Sequence, residues 1–104
     1  MYTVIETEYF QSRAAALLTD VEIAQLVSFL ADNPFAGAVI AGSNGCRKLR
    51  WALPGKGKSG GARIIYVNYL SDGWVVLLTV YAKTVLGNIP AHLLRALKDG
   101  FDEN

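Results

Sequence analysis

The segment ARIIYVNYLSDGWVVLLTVY, residues 62–81, decides the fold. It holds two apolar runs, Ala62–Leu70 and Trp74–Tyr81, and their Ile, Val and Tyr content favours β-strands. The triplet Ser71-Asp72-Gly73 between them is typical of a hairpin turn. The second run is nearly all apolar, as expected of a central strand that is buried on both faces. The segment therefore predicts a β-hairpin at the centre of a sheet.

A further strand is predicted just before this hairpin, at Cys46–Leu53. Side chains alternate along a strand, so Leu49 and Trp51 fall on one face while Lys48 and Arg50 fall on the other. If this strand pairs with Ala62–Leu70, two basic side chains project from one face of the sheet. The residues between the two strands form a glycine-rich basic loop.

The N-terminal third predicts one short strand and two helices. Met1–Glu6 has the apolar content of a strand, and Glu8–Leu18 places apolar residues at helical spacing. Thr19 and Glu22 have the spacing of a capping box, which starts a second amphipathic helix. That helix is expected to end before Pro34.

The C-terminal residues predict one more helix. Pro90 suits its first turn, and an apolar stripe follows at helical spacing: Leu93, Leu94, Leu97 and Phe101. The element order is then β-α-α-β-β-β-α in a single domain spanning residues 1–104. We predict an α+β fold, a twisted and mostly antiparallel sheet of about four strands. The helices are expected on one face, which leaves the other face partly open around Lys48 and Arg50.

Composition excludes several classes of protein. Hydrophobic residues make up 52% of the 104 residues and charged residues 18%, which argues against disorder. No apolar run reaches the roughly 18 residues of a membrane span, and the N-terminal residues do not resemble a signal peptide. Cys46 is the one cysteine, so no internal disulfide is expected. We expect a cytoplasmic protein.

The formal net charge of +1 conceals a separation of charges along the chain. Six basic residues and no acids lie between positions 47 and 63, whereas the rest of the chain has four basic residues, all nine acids and a net charge of −5. A basic patch on an acidic body suits a polyanion held in one orientation. The alternative is an ordinary solvated loop with lysines.

Nucleotide hydrolysis and metal chemistry have little support. Gly57-Lys58-Ser59 resembles the end of a P-loop, but the first glycine of that motif would fall at Ala52, and the loop leads into a strand rather than a helix. Cys46 and His92 alone do not provide the ligand spacing of a metal site. We expect no metal and no cofactor.

What remains is a cationic surface with tyrosines nearby. Arginine binds phosphate through two parallel hydrogen bonds, so Arg50 and Arg63 are the first candidates for a phosphate site. The tyrosines of the hairpin strands are candidates for stacking on a base or donating a hydroxyl: Tyr66, Tyr69 and Tyr81. For at least two of the three, packing in the sheet is the favoured interpretation.

Three segments together resemble a known family. They are Arg47–Arg50, Gly55–Tyr66 and Leu77–Lys83, and the part from Gly60 to Tyr66 is the most specific. In sequence and order they resemble the HigB-like branch of the RelE/ParE toxin superfamily, and the resemblance covers nearly the whole chain. The fold that it implies agrees with the fold predicted from the residues.

The resemblance implies a toxin that cleaves mRNA on the ribosome and inhibits translation, without a metal, until a cognate helix-turn-helix antitoxin neutralises it. The attacking group is the 2′-hydroxyl of the RNA. The implied catalytic residues are Lys48, Arg50, Arg63 and Lys83, with Arg63 stabilising the charge of the transition state. The implied RNA-binding residues are Arg47, Lys56, Lys58 and Tyr66. The sequence does not decide which group acts as the base.

One segment departs from the family pattern. Relatives usually continue after Tyr-Ala-Lys with Asn-Glu and further polar residues, whereas this chain continues with the apolar run Thr84-Val85-Leu86-Gly87. This departure has three interpretations: a weakened enzyme, altered contacts with a partner, or an apolar surface that an antitoxin covers. The alternative function is therefore a non-catalytic or degenerate member that binds an antitoxin or poisons DNA gyrase. Lys48, Arg50 and Arg63 argue against gyrase poisoning, because ParE-like relatives lack this basic set.

Overall fold

The chain forms a mixed five-stranded sheet with helices on both faces. A computed structural model describes residues 1–52, 61–83 and 88–103. In chain order the elements are β1 (Thr3–Glu6), α1 (Glu8–Leu17), α2 (Asp20–Asp32), β2 (Ala38–Val39), β3 (Cys46–Trp51), β4 (Ala62–Tyr69), β5 (Trp74–Ala82) and α3 (Ala91–Asp102). The predicted α+β class and the order of the main elements are confirmed.

The strands lie in the order β1-β5-β4-β3-β2. β1 runs parallel to β5, and every other neighbouring pair is antiparallel. The strand β2 is not among the elements predicted from the sequence. Because it has two residues and both are exposed, it carries no alternation that a sequence pattern can reveal.

Side-chain caps start the two N-terminal helices. The Thr7 hydroxyl accepts a hydrogen bond from the Phe10 N–H at 3.1 Å, which begins α1. The predicted capping box at α2 is confirmed, because Thr19 accepts from the Glu22 N–H at 3.1 Å and Glu22 accepts from the Thr19 N–H at 2.8 Å. Each contact satisfies a backbone donor that the helix itself leaves open.

The predicted hairpin joins β4 to β5 through a tight turn. The Gly73 N–H donates to the Leu70 carbonyl at 3.2 Å, and Gly73 has a φ of +71°. This left-handed conformation is readily adopted by glycine because it has no Cβ. The turn holds the two strands in antiparallel register from Tyr69 and Trp74 to Ala62 and Ala82.

The first face of the sheet packs against α1 and α2. Its buried cluster includes Phe10 and Leu30 from the helices and Ile64, Tyr66 and Leu77 from the strands. The hydroxyl of Tyr66 donates to the Pro34 carbonyl at 2.8 Å and accepts from the Gly37 N–H at 2.8 Å. These two bonds secure the segment between α2 and β2 against the sheet.

The prediction that all helices pack on one face is wrong, because α3 packs on the second face. Leu94 is buried there against a strand surface that is itself apolar, including Ile65, Val67 and Val76. Strand β5 is apolar on both faces, so its second face must also be shielded from water. The apolar stripe of α3 packs on that face and shields it. No helix in residues 1–52, 61–83 and 88–103 is long and apolar enough to span a membrane.

A register shift in the β4–β5 pair changes which side chains share a face. Ile65 pairs with Thr79, but the next residue, Tyr66, pairs with Leu77. Leu78 is therefore an extra residue on β5, as in a β-bulge. Leu77 packs with the first-face cluster and Tyr81, four residues later, with the second-face cluster. A regular strand would place both side chains on one face.

Candidate nucleic-acid interface

Three side chains from three neighbouring strands form a row on the second face of the sheet. Arg50 on β3 pairs with Arg63 on β4, and Arg63 pairs with Tyr81 on β5. Residues paired in this way have their Cβ atoms about 4.5–5.5 Å apart and project to the same side. We call Arg50, Arg63 and Tyr81 the cationic row.

Arg63, at the centre of the row, is 6% exposed. Its Nη1 donates to the carbonyl of its neighbour Ala62 at 3.4 Å, which is a long hydrogen bond. Within the described residues the one ion pair joins Lys98 to Asp102 on α3, so no carboxylate there neutralises Arg63. A buried cation without an acidic partner favours the binding of an anion.

Lys48 lies on the same face as Arg50, two residues away along β3. Its Nζ donates to the Asn88 side-chain oxygen at 2.9 Å. Asn88 is uncharged, so this contact orients the ammonium without neutralising it. Asn88 itself was not predicted, because nothing in its sequence neighbourhood distinguishes it from an ordinary loop residue.

Lys83 follows β5 directly and is exposed. Its backbone N–H donates to the Gly61 carbonyl at 3.3 Å, which places it at the end of the sheet where Arg50 and Arg63 lie. The structure thus brings the four predicted catalytic residues, Lys48, Arg50, Arg63 and Lys83, to one end of the sheet.

Tyr66 does not lie with this group, and its predicted contact with RNA is not compatible with its position. It is fully buried on the first face, and its hydroxyl is bonded to Pro34 and Gly37. The sequence suggested RNA binding because a tyrosine can stack on a base or donate its hydroxyl. Tyr66 lies three positions after Arg63 on β4, however, so its side chain projects to the opposite face. We therefore leave Tyr66 out of the site.

Arg47 also projects from the first face, since it precedes Lys48 on β3. Its Nη1 donates to the Gly37 carbonyl at 2.7 Å, and its guanidinium lies 5.2 Å from the centre of the Phe35 ring. It is therefore separate from the cationic row, and an RNA contact by Arg47 stays a prediction. Lys56, Lys58 and the segment Thr84-Val85-Leu86-Gly87 lie outside the described residues.

The tyrosines of the hairpin differ in what their hydroxyls contact. Tyr69 donates to the Asp102 carboxylate on α3, which helps to hold that helix on the sheet. Tyr81 is 5% exposed and lies beside Arg63. Burial raises the pKa of Tyr81 above its ordinary value, and the charge of Arg63 acts in the opposite direction.

Among the described residues, no group of three or more His, Cys, Asp or Glu side chains is placed to hold a metal ion. Cys46 is buried, and its Sγ lies 3.9 Å from the Leu94 carbonyl on α3. His92 is exposed on α3. In this part of the chain the site consists of guanidinium, ammonium and hydroxyl groups, which suit binding of phosphate oxygens.

No protein-family profile matches the chain. Among solved structures, it is similar to a double arginine-to-alanine mutant of the toxin RelE from E. coli in the free state. The TM-score is 0.63 and the sequence identity 16%, and the match covers 93% of this chain and 96% of that chain. At this identity the likeness concerns the fold. The chain therefore has a RelE-like fold, whose second sheet face carries the cationic row.

Proposed function

We propose that this chain is the toxin of a type II toxin–antitoxin system and that it cleaves mRNA engaged on the ribosome. The observation that carries the proposal is the pairing of Arg50 with Arg63 on one sheet face, with no carboxylate partner in the described part of the chain. The RelE-like fold and the resemblance to HigB-like toxins support it. Two adjacent guanidinium groups suit a phosphodiester.

The proposed chemistry is attack by a 2′-hydroxyl of the RNA on the neighbouring phosphate, with departure of the 5′-oxygen of the next nucleotide. Negative charge accumulates on the phosphate oxygens as the transition state forms. Arg63 stabilises that charge, and its burial strengthens the interaction because water screens it less. Arg50 binds the same phosphate from β3.

The remaining basic residues have supporting roles in this proposal. Lys48, oriented by Asn88, and Lys83 contact the RNA backbone on either side of the cleaved bond. Lys56, Lys58 and Arg47 are proposed as further contacts with RNA. The partners are ribosome-bound mRNA and a helix-turn-helix antitoxin, which places the action in the cytoplasm. The route proposed needs no metal ion.

The test is mRNA cleavage in a reconstituted translation system with wild type, Arg63→Ala and Arg13→Ala. Arg13 is an exposed arginine on α1, so its substitution controls for loss of a positive charge away from the cationic row. We expect cuts in ribosome-engaged mRNA from wild type and Arg13→Ala, and none from folded Arg63→Ala. An intact message with folded wild type would overturn the endonuclease proposal.

The second candidate is a non-catalytic protein on the same scaffold that binds an antitoxin or poisons DNA gyrase. The apolar segment Thr84-Val85-Leu86 favours it, because relatives carry polar residues there. Expression in bacteria separates the candidates. An active toxin arrests growth and a degenerate one does not, and loss of translation rather than gyrase inhibition identifies RNA as the target.

A further inference from the structure

We propose that Tyr81 is a further catalytic residue, whose hydroxyl donates a hydrogen bond to the phosphate bound by Arg63. Its part in cleavage rests on the endonuclease function proposed above. Its part in anion binding rests on the geometry of the cationic row alone. The two can therefore be tested separately.

The first support is the bulge at Leu78. It turns the end of β5 so that Tyr81 faces the same side as Arg63, its cross-strand partner. Without this extra residue, Tyr81 would share a face with Leu77 and point toward α1 and α2. The local irregularity thus places a phenol beside the central guanidinium, and bulges often re-aim side chains near active sites.

The second support is the hydrogen bonding of the hairpin tyrosines. A buried tyrosine hydroxyl usually has a partner. Tyr66 satisfies this through Pro34 and Gly37, and Tyr69 through Asp102. Tyr81 is 5% exposed, and within residues 1–52, 61–83 and 88–103 its hydroxyl forms no hydrogen bond to another protein group. Among these residues the buried side-chain atom without a partner is Asn68 Oδ1, so the Tyr81 hydroxyl itself keeps contact with solvent. It can therefore donate to a phosphate oxygen bound by Arg63.

The third support is the charge around the phenol. Burial raises the pKa of Tyr81, so its hydroxyl keeps its proton at neutral pH even though Arg63 opposes part of the rise. Arg63 and Arg50 are donors that carry charge, and Tyr81 adds a neutral donor to the same anion. A protonated phenol suits stabilisation of developing charge rather than removal of the 2′-hydroxyl proton.

The experiment compares single-turnover mRNA cleavage by wild type, Tyr81→Phe and Tyr9→Phe. Each variant loses one hydroxyl and keeps its ring, and Tyr9 is an exposed residue of α1. We expect Tyr81→Phe to cleave roughly tenfold to a hundredfold more slowly, the effect of losing one hydrogen bond to a charged group, with unchanged affinity for the ribosome. Tyr9→Phe should cleave at the wild-type rate. A Tyr81→Phe rate within about twofold of wild type overturns the catalytic role and leaves the endonuclease proposal intact.

A second measurement does not depend on cleavage. Inorganic phosphate is titrated into wild type, Tyr81→Phe and Tyr9→Phe while the aromatic ring signals are followed by NMR. We expect the Tyr81 ring signals of wild type to shift with phosphate and the affinity to fall in Tyr81→Phe alone. If wild type does not cleave mRNA but shows this shift, the endonuclease proposal fails and the anion-binding role stands. Unperturbed Tyr81 signals at saturating phosphate overturn the role of Tyr81.

Discussion

Arg63 combines burial and positive charge in a single side chain. It is 6% exposed, and in the described part of the chain it has no acidic partner. Removing a guanidinium from water costs free energy that a carboxylate or a bound anion would offset. In the free protein this cost lowers the free energy of unfolding. If Arg63 binds phosphate as proposed, the bound anion would offset that cost.

Replacing Arg63 by methionine should raise the free energy of unfolding by about 1–3 kcal/mol, because an apolar side chain of similar length removes the buried charge. Urea denaturation at neutral pH measures the change. Inorganic phosphate should raise the melting temperature of wild type and not of Arg63→Met, since a ligand stabilises only the protein that binds it. A less stable Arg63→Met protein, or an equal response to phosphate, would contradict this account of the site.

Replacing Tyr66 by phenylalanine should lower the free energy of unfolding and leave RNA binding unchanged. The change removes two buried hydrogen bonds, to the Pro34 carbonyl and from the Gly37 N–H. We expect a loss of about 1–3 kcal/mol in unfolding free energy, because the Gly37 N–H loses its partner and the Pro34 carbonyl keeps only the Asn68 side-chain donor. RNA binding by the folded variant should be unchanged. If the variant were as stable as wild type but bound RNA more weakly, Tyr66 would belong to the site after all.

At the scale of elements, α3 determines how much of the second sheet face is exposed. Phe101 packs against Tyr69 and Trp74, with ring centres 5.6 Å and 6.4 Å away. The Asp102 carboxylate accepts hydrogen bonds from Tyr69 on β4 and, at 2.7 Å, from the Lys98 ammonium. The helix is thus held by apolar packing and by a polar contact at its C-terminal end.

This polar contact predicts a dependence of stability on pH. The hydrogen bonds from Lys98 and Tyr69 lower the pKa of Asp102 below its ordinary value. A carboxyl whose pKa is lowered in the folded state stabilises the fold above the unfolded-state pKa, and this contribution is lost as the pH falls through the folded-state pKa. Asp102→Asn should therefore be less stable than wild type at pH 7, and the difference should shrink as the pH falls through the folded-state pKa of Asp102. Equal stability at pH 7, measured by urea denaturation, would contradict the contact.

A substitution at Gly100 provides a second test of how α3 contributes to stability. It lies inside the helix, and a Cβ at this position would have no heavy atom within 4 Å outside the local chain. Gly100→Ala should raise the free energy of unfolding by about 0.5–1 kcal/mol, because alanine loses less backbone entropy in a helix. Thermal unfolding followed by circular dichroism measures it. A decrease would mean that the surroundings of Gly100 are tighter in solution.

For the whole molecule, the basic residues that are grouped in the sequence are also grouped in space. Arg50, Arg63 and Lys83 lie at one end of the second sheet face. Glu8, Asp20 and Glu22 lie in the first turns of α1 and α2, outside this group. We expect a polyanion to be attracted to the basic end of the sheet and repelled near these carboxylates, which would favour one orientation of bound RNA.

Binding of a single-stranded RNA should weaken as salt rises, with a slope set by the number of phosphates that the protein neutralises. A Lys48→Gln/Arg50→Gln double variant should reduce the slope of log K against log salt by about 0.7 for each phosphate that is no longer neutralised. Arg13→Gln, on α1, should leave the slope unchanged. Fluorescence anisotropy from low to moderate salt measures all three proteins. Equal slopes for the double variant and wild type would place the RNA elsewhere.

The fold was largely predictable from local patterns. Three predictions depend on a few neighbouring residues each: the strand at Cys46–Leu53, the turn before Trp74 and the capping box at Thr19. The turn and the capping box are confirmed, and the strand is confirmed over Cys46–Trp51, whereas Leu53 lies outside the described residues. The position of α3 was not predictable from its stripe alone. An amphipathic helix shows that it needs an apolar partner, but its sequence does not say which sheet face provides one.

For the candidate site, the sequence by itself determined which residues carry charge and that Lys48 and Arg50 share a face, because a period of two is a property of any strand. Only the tertiary structure decided that Arg63 pairs with Arg50, that Asn88 reaches Lys48, and that Tyr81 joins the row. The physical reason is register. One extra residue at Leu78 reverses the side of every side chain that follows it on β5, and strand pairing rather than local sequence determines where that residue falls.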